Sequence, residues 1–519
     1  MEEPMMLDKT RVPVIVGVGQ VTDTTSPPES ARSPLQMMLD AARLAAADSG
    51  AGEALWGALD SITVIRLFAD TVPRFASPFG KLVNPPWSVA RRLGAQHATD
   101  LVYPPQGGDS PQVLLARACE RIARGESQAA LIVGGEALRT ELAAKRAGLA
   151  LQWGEDAPTL PDGLGGVKDM YTAEEEAHGM RSAIAMYALI GQALRGAAGQ
   201  TVDAYREASA RLFAGFAAVA KANPLATRRA GYSAEAISTL TQDNPYVGFP
   251  FTKLMTASAF IDQSAAFIVV SEARADELGV PQDRRVYLHG SAAAHDEWFV
   301  SERPRLDESP AMRLCAQHAL AQAGRSLADV SHLDIYSCFP SAVQIACKEL
   351  GLSPEDPRGL TVTGGLPYFG GPGNNYVTHA IAEMVQRVRG QPGSYGLVMA
   401  NGGLVTKEAV GIYSTMRPEK SFVRESASLI QDQIDRMPKQ ELDHEPRGEA
   451  VIETYAVLHG KSGPERCVLF GKLVSTGARF LANTPGDAQT LATMQSSEGL
   501  GLRGQVSREG DINVFVPAS

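Results

Sequence analysis

The stretch that decides the fold is YPPQGGDSPQVLLARACERIARGES, residues 103–127, with the apolar run AALIVGGEA at 129–137 directly after it. Ser110 is a typical helix N-cap and Pro111 a typical first helical residue. Apolar residues then recur at helical spacing. The pattern predicts a tight glycine turn, a helix over 110–125 and a buried strand.

A turn such as Gly107–Gly108 at the start of a helix is a common place for a nucleophile or a bound anion. Here no Cys, His or Lys lies in the turn. Asp109 could act as a base, but helix capping and pairing with the helix dipole are the more ordinary roles for it. The turn has the form of a catalytic site without an obvious catalyst.

The composition is that of a globular protein of more than one domain. The 519 residues predict two to four domains, with 44% hydrophobic and 20% charged residues. The net charge of −10, without any Lys/Arg run, argues against nucleic acid or an anionic membrane as the main partner. No apolar run approaches the ~20 residues of a membrane helix.

The five cysteines are scattered and none has zinc spacing, so we expect no metal site. Cys119 falls among apolar helical residues and is expected in the core. The N-terminus lacks the basic start and long apolar run of a signal peptide. These features favour a reduced, cytoplasmic protein.

Strand and helix patterns alternate twice along the chain, which predicts an α/β fold with mostly parallel sheets. In the first half we expect strands at 12–20, 60–68 and 129–137, with helices at 33–50 and 110–125. In the second half we expect strands at 284–294, 332–339 and 395–403, helices at 309–324 and 341–352, and a Gly-rich turn that leads into a helix within 368–390. Gly107–Gly108 and Gly370–Gly371 occupy corresponding places, so both helix N-termini could face one crevice.

The last part of the chain has a different pattern. A short helical stretch at 424–440 leads into a polar linker, and alternating strands begin at about residue 450. A helix is indicated only near DAQTLATMQ. This predicts a small β-barrel or sandwich of about five to seven strands. Within it, TGARFLANTPGD is expected to be a solvated hairpin, although Arg479 and Asn483 could contact a ligand.

Several segments, in the right order, resemble the thiolase superfamily. They are ACERIARGESQAALIVGGEA, NPYVGFPFTKLMTASAFIDQSAAFIVVSE at 244–272, and GGLPYFGGPGNNY. The resemblance covers about residues 10–415 and is closest to sterol-carrier-protein-type thiolases and acetyl-CoA acetyltransferases. The final β-rich part resembles the small OB-like additional domain of a branch of thiolase-like proteins.

The resemblance implies a thiolase fold, with two duplicated halves in five layers (α-β-α-β-α), plus a small all-β barrel. We expect the following division: the first half at 1–138 with 246–275, a loop domain at 139–245, the second half at 276–420, a linker at 421–449 and the barrel at 450–519.

The family uses four catalytic residues. The resemblance implies that a different residue type stands at each of these four positions here. The nucleophilic Cys falls on Gly108, and the His of the GHP turn falls on Gly371. The Asn or His of the NEAF/HDCF box falls on Tyr336, and the Cys of the CxG box falls on Ala400. Glycine and alanine carry neither an acyl group nor a proton, so thiolysis and Claisen condensation are not expected.

Few groups near these positions could support other chemistry. Tyr336 could donate or accept a proton, as in thiolase-like retro-aldolases with a tyrosine in this box, or it could only fill space. His379, Asn374 and Asn375 are expected to be structural. Cys338 is assigned to packing.

Possible ligand contacts follow from the same resemblance. The segment that contacts pantetheine in the family places its usual Ser on Ala259, with Ser258 beside it. Backbone contacts to coenzyme A (CoA) could survive that change. No cofactor is expected, and CoA or an acyl-CoA is the possible ligand.

Three functions remain open. The first is binding of an acyl-CoA or related lipid thioester without thiolase chemistry. The second is a different reaction on acyl-CoA, either acyl transfer or retro-aldol cleavage through Tyr336. The third is a non-catalytic interaction scaffold, with Tyr368 and Phe369 blocking the pocket. A homo-oligomer is possible from the resemblance alone.

Overall fold

The computed structural model describes residues 7–71, 75–165, 168–424 and 427–518. Its strands are β1 (Pro13–Asp23), β2 (Ser61–Val64), β3 (Asp100–Val102), β4 (Ala129–Ala137), β5 (Tyr246–Gly248), β6 (Phe251–Thr252), β7 (Asp262–Ser271), β8 (Tyr287–His295), β9 (Val330–Ile335), β10 (Tyr395–Gly402), β11 (Lys407–Ser414), β12 (Gly448–Gly460), β13 (Gly463–Leu473), β14 (Arg479–Asn483), β15 (Arg503–Glu509) and β16 (Ile512–Pro517). Its α-helices are α1 (Pro34–Asp48), α2 (Ala54–Ala58), α3 (Pro85–Leu93), α4 (Ser110–Arg124), α5 (Leu138–Ala147), α6 (Ala173–Ala177), α7 (Ala183–Ala197), α8 (Val202–Ala222), α9 (Ala234–Ser238), α10 (Glu272–Glu277), α11 (Pro310–Gln322), α12 (Pro340–Leu350), α13 (Gly365–Tyr368), α14 (Tyr376–Gly390), α15 (Ala427–Asp435) and α16 (Ala488–Ser496).

Two sheets with helices between and outside them form the core. The first sheet has the order β1-β7-β4-β2-β3 and the second β8-β11-β10-β9. Helices α4 and α14 pack against strands of both sheets, α1 covers the outside of the first sheet, and α11 covers the outside of the second. This is the five-layer thiolase arrangement that the sequence predicts.

Each sheet contains an antiparallel strand that the sequence patterns did not reveal. β7 lies between β1 and β4 and is antiparallel to both. β11 lies between β8 and β10 in the same way. A strand buried on both faces reads the same in either direction, so the apolar pattern does not give its orientation in the sheet.

Two strands are shorter than predicted. The strand expected at 60–68 ends at Val64 because the chain then turns, and the Phe68 N–H donates to the Glu136 carboxylate at 2.7 Å. The strand expected at 332–339 ends at Ile335, and the residues that follow form the approach to α12.

The C-terminal part is a closed five-stranded barrel. Its strands follow the order β13-β14-β16-β15-β12, and β12 pairs with β13 to close it. β5 and β6 extend this sheet, because the Phe249 N–H donates to the Val457 carbonyl at 2.8 Å. Residues 246–252, expected with the first half, therefore pair with the barrel.

Buried polar side chains join the barrel to the core. Arg479 is fully buried and donates to the carbonyl oxygens of Ser301 and Arg303. Asn483 is also buried and donates to the His178 carbonyl at 3.0 Å. The prediction of a solvated hairpin here was wrong, and neither residue is free to contact a ligand.

The outer edge of β3 is covered by the chain itself. The Asp162 N–H donates to the Leu101 carbonyl at 2.8 Å, and the Tyr103 N–H donates to the Asp162 carbonyl at 2.8 Å. In the part of the chain that the structure describes, no helix is long and apolar enough to cross a membrane.

Candidate functional site

The two glycine turns meet between the sheets, as the duplicated pattern predicts. The Gly107 N–H donates to Asn374 Oδ1 at 3.0 Å, and Asn374 Nδ2 donates to the Arg66 carbonyl at 2.8 Å. Asn374 is thus a structural link between the turns. The N-termini of α4 and α14 are held together at this point.

The start of α4 differs in detail from the prediction. Asp109, not Ser110, occupies the N-cap position, and its side chain caps no backbone N–H. Instead, Asp109 Oδ1 lies 3.4 Å from Lys407 Nζ. Ser110 is the first helical residue, and its hydroxyl donates to the Pro105 carbonyl at 3.3 Å. Asp109 therefore has an ion-pair partner rather than a capping role.

Gly108 has no room for a side chain. A Cβ atom at this position would lie 2.5 Å from the Asn401 carbonyl oxygen and 2.6 Å from the Tyr336 hydroxyl oxygen. Both distances are far below van der Waals contact. The space that a nucleophile would need is occupied by a phenol hydroxyl and by the end of β10.

Tyr336 is the first residue after β9 and is held in place by backbone and ring contacts. Its N–H donates to the Met399 carbonyl at 3.1 Å, and its ring meets the Tyr376 ring edge-on at 5.5 Å. The side chain is largely buried but retains some exposure. Burial, with the nearby acidic groups of Cys338, Asp109 and Glu408, raises the pKa of Tyr336 well above its ordinary value. The phenol is therefore neutral and can donate a hydrogen bond.

Gly371 and Ala400, where the resemblance placed two further catalytic positions, are lined by apolar groups. A Cβ atom at Gly371 would find Leu366 Cδ2 at 3.3 Å and Ala257 Cβ at 3.6 Å. Ala400 is fully buried in β10, opposite Ala409 of β11. Neither position brings an ionisable side chain to the turns.

The segment that resembles the pantetheine contact lies beside the second turn. The Ser258 N–H donates to the Leu366 carbonyl at 3.0 Å, and the Gly371 N–H donates to the Ser258 carbonyl at 2.9 Å. The backbone of Ser258 is thus already hydrogen-bonded within the protein. Ala259 is partly exposed, and Phe260 after it is 66% exposed.

A buried polar cluster behind the turns was missed by sequence analysis. Glu408 is 1% exposed, and neither carboxylate oxygen has a hydrogen-bond partner among the described residues. Burial, then the negative charges of Asp296 and Asp109, raise its pKa well above the ordinary value, although the nearby Arg303 opposes this. The signal in the sequence was the charged pair Lys407–Glu408 at the start of an apolar strand.

The thiol closest to the site is not activated. Burial is the main cause that raises the pKa of Cys338 to about 12, so a thiolate is disfavoured at neutral pH. Beside it, the Tyr187 ring stacks on Phe339 at 4.5 Å, and Asn401 Nδ2 donates to the Tyr187 hydroxyl at 3.1 Å. The surroundings of Cys338 are those of a packed core.

His379 and Asn375 have structural contacts on α14. His379 Nδ1 lies 2.7 Å from Gln20 Oε1, and burial lowers the pKa of its imidazole to about 3. Asn375 Nδ2 donates to the Gly134 carbonyl at 2.8 Å instead of capping the helix. Over the described residues, no group of three or more His, Cys, Asp or Glu side chains could hold a metal ion.

Comparison with known proteins agrees with this architecture. Residues 430–511 match the family model of the thiolase-like protein type 1 additional C-terminal domain. The solved structure of a monomeric SCP2-thiolase-like protein type 1 (STLP1) from Mycobacterium smegmatis is 34% identical, covers 99% of this chain and 100% of its own, and superposes with a TM-score of 0.84.

The chain belongs to the SCP2-thiolase-like proteins of type 1.

This thiolase-like protein is also similar to two further proteins. It is 29% identical over 139 residues to a probable acetyl-CoA acetyltransferase of Mycolicibacterium smegmatis. That match spans 26% of this chain and a third of the relative, 33%. The Ltp2-ChsH2(DUF35) aldolase is 20% identical, with 78% of this chain and 98% of that chain covered and a TM-score of 0.55, which is a likeness of fold.

Proposed function

We propose that this thiolase-like protein binds an acyl-CoA or a related lipid thioester and performs neither thiolysis nor Claisen condensation. The observation that carries the proposal is the geometry at Gly108, where a Cβ atom would lie 2.6 Å from the Tyr336 hydroxyl. The family reaction passes through an acyl group on a protein thiol. Without a side chain at this position, that intermediate has no place to form.

No other cysteine can replace the missing nucleophile by a small movement. All five cysteines are buried and unpaired. Cys338 is the nearest to the turns, and the pKa of its thiol is raised to about 12, chiefly by burial. A thiol in such a state is a poor nucleophile at neutral pH. Free cysteines throughout also favour the cytoplasm as the setting of the protein.

A cleft of the loop domain supports CoA binding. It has a volume of about 680 Å³, and its lining includes the cations Arg228 and Lys253, the aromatic Tyr232 and the acidic residues Glu235 and Asp243. Arginine and lysine suit phosphate groups, and an aromatic ring suits an adenine. Lys253 and Leu254, which line the cleft, lie a few residues before Ser258 and Ala259 in the chain. A pantetheine arm would therefore run along that segment toward the turns.

A second candidate function rests on Tyr336. Its neutral hydroxyl stands where the family places the attacking sulfur, so it could donate a proton to a substrate carbonyl or to the oxygen of a β-hydroxyacyl group. The aldolase of similar fold makes retro-aldol cleavage the reaction to test. A third alternative is the non-catalytic scaffold. Tyr368 and Phe369 are fully buried beside the second turn, where they would block the pocket, and an absence of ligand binding would favour this alternative.

We also propose that the protein acts as a monomer, the state named for the Mycobacterium smegmatis protein. The pairing of β3 with Asp162 supports this, because it removes a free sheet edge. Light scattering after size exclusion tests it, and a mass of twice the 55.1 kDa chain would refute it.

The test of function is calorimetry with CoA, acetyl-CoA and a long-chain acyl-CoA, with thiolysis assayed on the same preparation. We expect binding without thiolysis, and a loss of affinity of about tenfold in the double variant Arg228→Ala/Lys253→Ala, because each cation would neutralise phosphate charge. Arg211→Ala, an exposed cation outside the cleft, is the matched control.

Each outcome of this test has a meaning. No binding of any CoA species would refute the proposal and favour the scaffold. Thiolysis would show that the assignment of the four vacated positions is wrong. Cleavage of a β-hydroxyacyl-CoA that is lost in Tyr336→Phe would establish the second candidate.

A further inference from the structure

Two cavities meet on the other side of the first glycine turn and form one groove. The first has a volume of about 310 Å³ and lies between the residues after β8 and the segment that includes α15. The second has a volume of about 670 Å³ and runs along α4 from Gln106. Lys168 and Trp298 line both cavities and so mark the junction. The groove shares none of its lining with the loop-domain cleft.

The two parts of the groove differ in charge. Along α4, three acidic side chains, of which Asp109 is one, face six cationic ones, which are Arg117, Arg121, Arg124, Lys168, Lys407 and Arg424. The first cavity has four cationic and four acidic side chains and is balanced. A local excess of positive charge in a chain of net charge −10 favours an anionic group on the α4 side.

Not all of these cations are equally free to meet a ligand. Arg117 and Arg121 both contact Asp100, which holds them against the wall. Lys168 makes no ion pair with a described residue, and its ammonium lies 4.3 Å from the centre of the Trp298 ring. Lys407 at the inner end is paired with Asp109 at 3.4 Å. Lys168 at the junction is therefore the cation best placed to receive an anion.

Part of the lining of the first cavity is apolar. The Trp298 ring meets the His295 ring edge-on at 5.3 Å, and Ile434 and Met437 also line the cavity. Pro304 and Pro310 contribute further apolar surface. Removal of its methylenes from water would stabilise a bound alkyl chain here.

We propose that this groove binds an amphipathic carboxylate, a fatty acid in chemical class, with its carboxylate at Lys168 and its alkyl chain between Trp298 and Met437. The charge imbalance fixes the direction of the ligand, because the balanced cavity has no excess charge to attract the carboxylate. The proposal does not depend on CoA binding.

Dodecanoate, below its micelle concentration, is the probe for calorimetry and tryptophan fluorescence. We expect saturable binding with a Kd below about 100 μM. Trp298→Phe should abolish the fluorescence change while calorimetry still detects binding. Dodecyltrimethylammonium, with the same chain and the opposite charge, should bind at least about tenfold more weakly.

Variants locate the two ends of the ligand. Lys168→Glu and Met437→Glu should each weaken dodecanoate binding by about tenfold, since each places a carboxylate beside one end. Lys461→Glu in the β12–β13 turn and Met416→Glu at a 52% exposed position are the matched controls and should change it less than about twofold. No saturable binding, equal binding of the cationic probe, or equal effects of groove and control variants would overturn the proposal.

Discussion

Adding a single methyl group at Gly108 should destabilise the protein, whereas the same change at Gly371 should not. The family resemblance assigns a catalytic position to each of them, but their surroundings differ. A Cβ atom at Gly108 would meet Asn401 O at 2.5 Å, Tyr336 Oη at 2.6 Å and Tyr336 Cε2 at 2.9 Å. At Gly371 the nearest atom is a flexible leucine methyl at 3.3 Å.

The size of the effect follows from these contacts. Forcing a methyl group into a filled site costs about 1–3 kcal/mol, and the carbonyl of β10 cannot move without its strand, so we take about 3 kcal/mol for Gly108→Ala. Replacing a glycine stiffens the unfolded chain and returns about 0.4–1 kcal/mol. The net expectation is a loss of about 2 kcal/mol for Gly108→Ala and of less than about 0.5 kcal/mol for Gly371→Ala.

The role of the phenol can be isolated by a double-mutant cycle with Tyr336→Phe. Removing the hydroxyl relieves one of the three contacts, so Gly108→Ala should cost about 1 kcal/mol less in the Tyr336→Phe background. Urea unfolding followed by circular dichroism measures all four proteins. A cost below about 0.5 kcal/mol for Gly108→Ala, or additive effects of the two changes, would refute the claim that the hydroxyl fills the nucleophile's space.

Three further predictions concern stability and reactivity. Burial raises the pKa of Glu136 to about 8, so the folded state holds a proton that the unfolded state releases above its ordinary value near 4.5. The stability from this proton is complete below pH 4.5 and is lost as the pH rises to about 8. Glu136→Gln should therefore raise the free energy of urea unfolding relative to wild type increasingly from pH 6 to pH 9, by up to roughly 4 kcal/mol, and a constant difference would contradict this. Arg479→Met should cost about 3–5 kcal/mol in urea unfolding because it removes a buried cation from the Glu453 carboxylate, whereas Arg503→Met, at a side chain that is 65% exposed, should cost less than about 1 kcal/mol. Finally, mass spectrometry after brief iodoacetamide treatment at pH 7 should find none of the five buried thiols alkylated in the native protein and all five alkylated in urea; rapid native labelling at Cys338 would show that the thiol is activated after all.

The sequence reveals the core of this fold because helical and strand periodicities are local properties of the chain. The positions of α4, β4 and the two glycine turns could be derived from such patterns together with the family resemblance. The contacts of Arg479 could not, since its partners at Ser301 and Arg303 lie far away in the chain. A polar residue within TGARFLANTPGD looks the same in the sequence whether it faces water or a buried carbonyl.

The candidate site was predicted in part for the same reason. The assignment of two catalytic positions of the family to Gly108 and Ala400 comes from alignment of motifs, because each motif is continuous in the chain. That the Tyr336 hydroxyl fills the space beside Gly108 depends on contacts in three dimensions, which the sequence does not give. Glu408 was missed because its burial depends on the layers packed around β11, and a Lys–Glu pair usually marks a solvated strand end.

The two backbone hydrogen bonds of Asp162 at β3 close the outer edge of the first sheet from within the same chain. A sheet can grow through any strand whose outer N–H and C=O groups are unpaired, in another copy of the chain as readily as in its own. Here part of that outer row is taken by a loop-domain residue some sixty positions further along. For another chain to pair with this edge, the segment around Asp162 would first have to break its hydrogen bonds with β3. This intramolecular pairing therefore disfavours extension of the sheet by a second chain.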